Sequence, residues 1–457
     1  VKRGCLHSRR AFVLAGEVRT SEVRYPMIDS ASSHTTPYSL KRCFDAMHSG
    51  PWRFIQLRGE GGFESWRNEE DVDLLGSRHS VDLLIAEAKT WVLKGWCHFR
   101  IVCRRARKVE LCLYAIDGRE NLVLDLWIHM PQLDRGRQWI SFETANGPTK
   151  DSDSSILRWS MEIELAVYIH HLICKKKRLG SSRVQQRLGQ YQRLCEDECK
   201  TELASELLRI RNQQSISKAF ELQMLRVLQE ELSPQNSQSY RYVDTLWKKI
   251  FLNSPRRKHL ISVMGCDGVG KSSLIECLER ISPESVRAFT GKHLYRKSIF
   301  YKLMVIFVRP LMFQDREKFD ETWAPFVYLR ACLKLYFFEL RVRSGLMLID
   351  RNILDFLYLD RKTDQPGFSR FLGLSRVFGS RIPTIHCVIE HAALMTRKQE
   401  MSEQGHLAYD RDMMEQFFSR QPTDYTLFYN GGTLDESLNG MKCIVNDILE
   451  KPGFSLK

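Results

Sequence analysis

The sequence predicts an α/β protein: a parallel sheet flanked by helices in the C-terminal part, an α+β region in the N-terminal part, and a helical connecting region between them. Three observations carry this expectation. Beyond residue 256, short apolar runs alternate with longer helical patterns, the signature of strand–helix–strand crossovers. One of those runs, Leu260-Ile261-Ser262-Val263-Met264, leads into the glycine-rich octapeptide Gly265-Cys266-Asp267-Gly268-Val269-Gly270-Lys271-Ser272 and then into a stretch whose Leu274, Ile275, Leu278 and Ile281 share a helix face. Before residue 150, by contrast, the β-rich runs Val109–Tyr114 and Leu122–Ile128 flank Asp117-Gly118, which predicts an antiparallel hairpin.

Taken in order, residues 1–36 read as a poorly ordered extension. Its apolar stretch Ala11-Phe12-Val13-Leu14-Ala15 is too short for a signal peptide. Residues 37–150 carry the α+β pattern, with a helix near Leu40–Met47 and strands at Phe54–Leu57 and Val72–Leu75 ahead of the hairpin. Residues 151–255 turn helical, with Leu165, Val167, Ile169, Leu172 and Ile173 leading into Lys175-Lys176-Lys177-Arg178, and Ser233-Pro234-Gln235-Asn236-Ser237 as a break. The cluster Arg256-Arg257-Lys258 opens the last region, 256–457. There Leu346–Ile349 ends in Asp350-Arg351, Thr384–Ile389 ends in Glu390, and Thr426–Tyr429 ends in Asn430-Gly431. Polar residues at strand C-termini are where such sheets hold ligands. Thr433 and Glu436 form a capping box that starts a final helix.

Composition narrows the class without choosing a substrate. The 457 residues suffice for two or three domains, and 69 Lys and Arg against 55 Asp and Glu give a formal charge of +14, which favours anionic partners. The basic runs Arg104–Lys108 and Lys175–Arg178 lack interleaved aromatics, which argues against nucleic acid. Thirteen cysteines with no C-x-x-C pair argue for reduced thiols in a cytoplasmic setting; Cys195 and Cys199 share an expected helix face but make a poor zinc site alone. No apolar run approaches the ~18 residues of a membrane span. The best candidate, Ile299 to Phe313, is interrupted by Lys302 and Arg309-Pro310 and reads as an amphipathic or buried helix.

The octapeptide has the spacing G-x-x-x-x-G-K-S between a strand and a helix, the context in which it binds phosphate, so the C-terminal sheet is expected to be a P-loop sheet. Gly265, Gly268 and Gly270 let backbone N–H groups close around phosphate oxygens, and the helix N-terminus at Ser272 and Ser273 adds its positive dipole end. Lys271 has the reach for the β and γ phosphates, and Ser272 can ligate Mg²⁺. ATP and Mg²⁺ are therefore the expected cofactors.

With Asp267 inside the loop and a later strand ending in Asp350-Arg351, residues 258–451 or so resemble the thymidylate kinase family. Arg397-Lys398, after the strand ending at Glu390, is similar to that family's arginine-bearing lid, with Tyr409 beyond it. The resemblance implies transfer of a phosphoryl group from ATP·Mg to an acceptor phosphate. In that scheme Lys271 and Arg351 stabilise the moving group, Asp350 organises Mg²⁺ or the acceptor, Asp267 helps place the acceptor side, and Arg397 closes over the site. The chain departs from the family where a nucleoside monophosphate is held. Arg287-Ala288-Phe289-Thr290-Gly291-Lys292-His293 replaces the family's Phe-x-Arg-Glu-Pro, and Asn352 replaces an aromatic or histidine. A poor response to dTMP is expected.

Asp71-Val72-Asp73, preceded by Leu57-Arg58-Gly59-Glu60 and followed by Asp125, resembles the nucleotidyltransferase superfamily over about residues 38–130. Alternation puts Asp71 and Asp73 on one strand face, and with Asp125 the resemblance implies a site for two Mg²⁺ ions. Glu60 stands in place of that superfamily's serine. The order of the three regions also resembles fused proteins of bacterial surface-polysaccharide gene sets, which implies a phosphorylated small-molecule or glycan-linked acceptor. The expectation is thus a cytoplasmic, ATP- and Mg²⁺-dependent kinase, with homodimerisation left open. A nucleotide-gated binding protein and a nucleotidyltransferase using the N-terminal carboxylates are the alternatives.

Overall fold

A computed structural model describes residues 39–58, 62–68, 71–104, 107–133, 138–145, 149–150, 154–232, 235–236, 260–282, 286–290, 345–351, 382–397, 402–420 and 423–449, with isolated positions between 303 and 334. The expected extension at 1–36, the cluster at 256–258 and most of the segment 299–313 lie outside the described residues, as do Gly59, Glu60, Lys292, Asn352 and Lys398.

The N-terminal region runs α1 (Ser39–Ser49), β1 (Phe54–Gln56), α2 (Phe63–Asn68), β2 (Val72–Gly76), α3 (Arg78–Leu93), β3 (His98–Arg104), β4 (Lys108–Tyr114) and β5 (Asn121–Trp127). The short strands β6 (His129–Leu133), β7 (Gln138–Ser141) and β8 (Thr149–Lys150) follow, then β9 (Ile156–Trp159) and the helices α4 (Met161–Cys174), α5 (Ser182–Asp197), α6 (Thr201–Gln213) and α7 (Lys218–Glu231). After β10 (Gln235–Asn236) come β11 (Leu260–Met264), α8 (Lys271–Ile281), β12 (Val286–Thr290), β13 (Leu346–Asp350), β14 (Thr384–Val388), α9 (His391–Arg397), α10 (Glu403–Arg420), β15 (Thr423–Tyr429) and α11 (Leu434–Leu449).

Mixed α/β architecture follows from how these strands order. Among the described residues, twelve lie in one sheet, β12-β13-β11-β14-β15-β3-β4-β5-β2-β1-β9-β8. The first five are mutually parallel. Every residue of β11 is buried, as a parallel strand covered on both faces must be. The expected hairpin is present, with β4 and β5 antiparallel from Lys108↔Trp127 to Tyr114↔Asn121 and the Gly118 N–H donating to Ala115 O at the turn. In the N-terminal strands burial alternates: Val72 and Leu74 enter one core, Leu75 the other. The second core belongs to the helical region, where α4 is buried nearly all round, from Met161 to Leu172.

The two halves of the sheet meet where β15 pairs antiparallel with β3, from Thr423↔Cys103 to Leu427↔Phe99. One hydrophobic core accordingly runs from Leu40 to Leu449. The seam is also polar by construction. The buried Arg100 guanidinium on β3 donates from Nε to Asp424 of β15 at 2.8 Å and also binds Asp447 of α11. His98 stacks on Phe428 at 4.1 Å, accepts the Tyr429 N–H at Nδ1 (3.1 Å) and therefore carries its proton on Nε2, which donates to Ile116 O (3.1 Å). Helix α11 lies close over the hairpin turn, since a Cβ on Gly440 would meet Ile116 O at 2.7 Å.

Two local expectations need correction. Ile281, at the last position of α8, is 42% exposed, while Leu274, Ile275 and Leu278 on the same face are buried. Cys195 and Cys199 do not share a helix: α5 stops at Asp197, and Cys199 adopts φ 58 beyond the end, leaving Cys195 buried against Met161.

Candidate functional site

The octapeptide forms a loop between β11 and α8. Gly265 adopts φ 144, and a Cβ there would lie 2.5 Å from Cys387 O on β14; Gly270, at φ 92, would clash with Asn430 Nδ2 at 2.7 Å. Positive φ and lack of space both demand glycine at these two positions. Lys271 opens α8 almost fully buried, its Nζ donating to Cys266 O at 3.1 Å and lying 3.4 Å from Asp267 Oδ1. A buried ammonium at the start of a helix concentrates positive charge where an anion would sit.

The end of β13 supplies the facing groups. The Ser272 hydroxyl donates to Asp350 Oδ2 at 3.3 Å, while Asp350 Oδ1 is buried with no hydrogen-bond partner among the described residues. Arg351 is held at φ 80, its N–H donating to Val263 O at 2.8 Å and its guanidinium binding Asp267. A non-glycine residue in that region costs about 1–3 kcal/mol and persists only where its surroundings overdetermine it. Burial works against the Asp267 charge, but Arg351 and Lys271 outweigh it and hold the carboxyl below its usual range. Arg397, at the end of α9, donates from Nη1 to Val269 O at 3.4 Å.

Lys271, Ser272, Asp267, Asp350, Arg351 and Arg397 are thus brought together around one loop, and Ser273 follows on the first turn of α8. Asn430, placed at a strand end by sequence but given no role there, donates from Nδ2 to Val269 O at 2.6 Å and from its N–H to Val388 O at 2.8 Å. Its place at a strand end beside Gly431 was the available signal. Tyr409 is buried in the core beside His386. The Arg287–Thr290 part of the expected substrate stretch is strand β12, at the edge of the sheet. A divalent cation fits the Ser272–Asp350 pair, because it would satisfy the orphaned Oδ1 with the oxygen donors Mg²⁺ prefers.

Asp71, Asp73 and Asp125 also gather, with one oxygen from each within 4.8 Å of the others. They face the helical side of the sheet, alongside Leu75 and Trp127 of the second core. Two cations already sit on them: Arg58 binds Asp73 and lies 3.6 Å from Asp71, and Lys108 binds Asp125 while stacking over Trp127 at 4.8 Å. Trp127 Nε1 donates to Asp73 at 2.8 Å. Burial pushes the Asp125 carboxyl up to about 7, outweighing the Lys108 ammonium, with Asp73 adding to the rise. The donor types suit Mg²⁺, but an ion enters only by displacing Lys108 or Arg58, so the trio as it stands does not fit two of them.

Register places the two clusters at opposite ends of the strands. Asp125 lies across from Glu110, Glu110 from Cys103, and Cys103 from Thr423, the first residue of β15. The glycine-rich loop stands at the other end of β15, where Tyr429 pairs with Val388 and Asn430 reaches Val269. The acidic trio and the loop therefore open at opposite ends of the strands of one sheet. No protein-family model and no curated protein matches this chain. Among the described residues no helix is long and apolar enough to cross a membrane.

Proposed function

We propose that this chain is an ATP- and Mg²⁺-dependent phosphotransferase of the thymidylate kinase-like P-loop class, acting on a phosphorylated acceptor other than dTMP. The observation that carries the reading is the orphaned Asp350 Oδ1 beside the Ser272 hydroxyl, at the mouth of a loop whose lysine is already inside. Mg²⁺ held by Ser272 and Asp350 would neutralise triphosphate charge. Lys271 would exchange Cys266 O and Asp267 for phosphate oxygens, a change of acceptor that needs no large motion of its buried stem. Asp267, by holding both Lys271 and Arg351, keeps two cations converging on one point, and charge fixed beforehand at the moving phosphoryl group is what this chemistry requires. Arg397 would add a third cation from α9.

A second reading, an ATP-gated binding protein, is favoured by one observation. The loop is tied through Asn430 to the end of β15, whose Tyr429 N–H is held by His98 of the N-terminal sheet. Closure on ATP would pull on that sheet. Nucleotidyl transfer at the acidic trio is disfavoured by the cations that occupy it.

Product analysis with labelled ATP separates these readings. Label from the γ position on an acceptor supports the kinase; nucleotidyl adducts with pyrophosphate release support the transferase; tight binding with neither supports the gate. Among acceptors, dTMP and dUMP are expected to fall well below a phosphosugar panel, and dTMP turnover at the ~1–100 s⁻¹ usual for kinases would sink the acceptor assignment.

A further inference from the structure

We propose that Cys266, His406 and Asp410 form a buried transition-metal site, best suited to zinc, that pins the phosphate loop to α10 and is separate from the Mg²⁺–ATP chemistry at Ser272 and Asp350. One ligand atom from each residue lies within 4.8 Å of the other two, and all three residues are buried. His406 and Asp410 stand one turn apart on a face of α10, the spacing that brings side chains side by side. Their Nε2 and Oδ2 atoms are 3.1 Å apart. Two ligands at tetrahedral zinc subtend about 3.3 Å, so the pair is already spaced for one ion.

The independent sign of a missing ligand is His406 itself. It is 2% exposed, and among the described residues its Nδ1 has no hydrogen-bond partner, while its Nε2 meets Asp410 Oδ2 alone. Buried polar atoms are normally satisfied, and a cation between the three side chains would account for the exception. Asp410 has the outer support that metal-binding carboxylates have: its Oδ1 lies 3.1 Å from His386 Nε2, and His386 Nδ1 lies 2.7 Å from the Tyr425 hydroxyl. Both nitrogens of His386 are thereby engaged, so it orients the carboxylate without competing for the ion. Thiolate, imidazole and carboxylate together select zinc over Mg²⁺ or Ca²⁺, which take oxygen donors. Three protein ligands leave the fourth position to a water or another donor. Binding would release the Cys266 thiol proton to solvent and form the metal–sulfur bond.

The consequence is mechanical. Cys266 sits in the loop between Gly265 and Asp267, while His406 and Asp410 belong to the helix that follows Arg397. An ion shared by them would stiffen the loop against α10 with or without nucleotide.

The test uses the full chain, stripped with chelator and given Zn²⁺ or Co²⁺ alone, without nucleotide. One equivalent should bind, raise the thermal midpoint, and, for Co²⁺, give tetrahedral visible bands with a sulfur-to-cobalt charge-transfer band in the near ultraviolet. Folded Cys266→Ser should lose that band, and His406→Gln should bind at least ~10-fold more weakly. X-ray absorption on zinc-loaded wild-type protein should show one sulfur among nitrogen and oxygen ligands, which decides the matter even if the variants fail to fold. Absence of stoichiometric uptake, a zinc shell without sulfur, or uptake undiminished in folded Cys266→Ser would overturn the proposal. Binding at the oxygen-only sites would lack the sulfur band and so cannot imitate it.

Discussion

Lowering the pH should unzip the seam between the two halves of the sheet by a calculable amount, through His98. Its two ring nitrogens are committed, one accepting from Tyr429 N–H and the other facing Ile116 O, and burial holds its pKa down at about 4 against an ordinary 6.5. Below pH 6.5 the unfolded chain takes up a proton that the folded protein refuses until about pH 4. Stability is therefore complete above pH 6.5 and falls as pH falls through that window. The linkage integral gives a loss of about 1.3 kcal/mol between pH 7.5 and 5.5, rising to about 3 kcal/mol at pH 4. Other histidines act in the same direction: burial lowers His48 and His129, and burial with Arg58 holds His171 at about 3. The measurement that isolates His98 is thus a comparison of slopes. Urea unfolding of wild type and of His98→Asn, which keeps a non-titrating acceptor near Tyr429 N–H, would be followed from pH 7.5 to 5.5. The variant should start less stable and lose about 1.3 kcal/mol less over the interval. Parallel pH dependences would mean that the buried, neutral imidazole is not a feature of the folded protein, and the account of the seam would fail with it.

The remaining predictions concern the two ends of the sheet's strands. Lys271→Ala should reduce ATP-dependent turnover of the purified protein at least ~100-fold, because several kcal/mol of transition-state stabilisation rest on its charge; near-normal turnover would place the chemistry elsewhere. Arg351→Ala should lower turnover ~100-fold while ATP affinity, read by calorimetry, stays within ~3-fold, whereas Asp350→Ala, which removes a Mg²⁺ ligand, should weaken both; equal losses in both for Arg351→Ala would contradict its assignment to the transfer step. Lys108→Met should remove the ammonium that lowers the Asp125 carboxyl, raise that carboxyl further above about 7, and cost more stability in urea unfolding at pH 8 than at pH 6, where the carboxyl is already protonated. Millimolar Mn²⁺ should recover part of that loss in the variant and do nothing for wild type at this site; equal Mn²⁺ effects on both would show that Lys108 does not block the acidic trio.

Local patterns made most of the elements legible. The run Leu260–Met264 could only be a strand buried on both faces, Asp117-Gly118 could only turn a hairpin back, and Thr433 and Glu436 do cap α11, with Glu436 Oε2 accepting from the Thr433 N–H at 2.8 Å. The glycine-rich loop was readable for the same reason: its glycines, lysine and serine lie within eight consecutive residues, and near-neighbour sterics dictate their conformation. Pairing over long sequence separations was not readable. That β15 would join β3, and so place the acidic trio and the glycine-rich loop at opposite ends of the strands of one sheet, depends on register between segments some three hundred residues apart, which no local periodicity encodes. The same holds for charge. Asp71, Asp73 and Asp125 were singled out by a family resemblance, but their neutralisation by Arg58 and Lys108 is a matter of which cations the folded sheet turns to the same face. Asn430 on Val269, and Cys266 beside His406 and Asp410, belong to that class too: ordinary residues in sequence, brought into contact by crossovers whose geometry only the packed core decides.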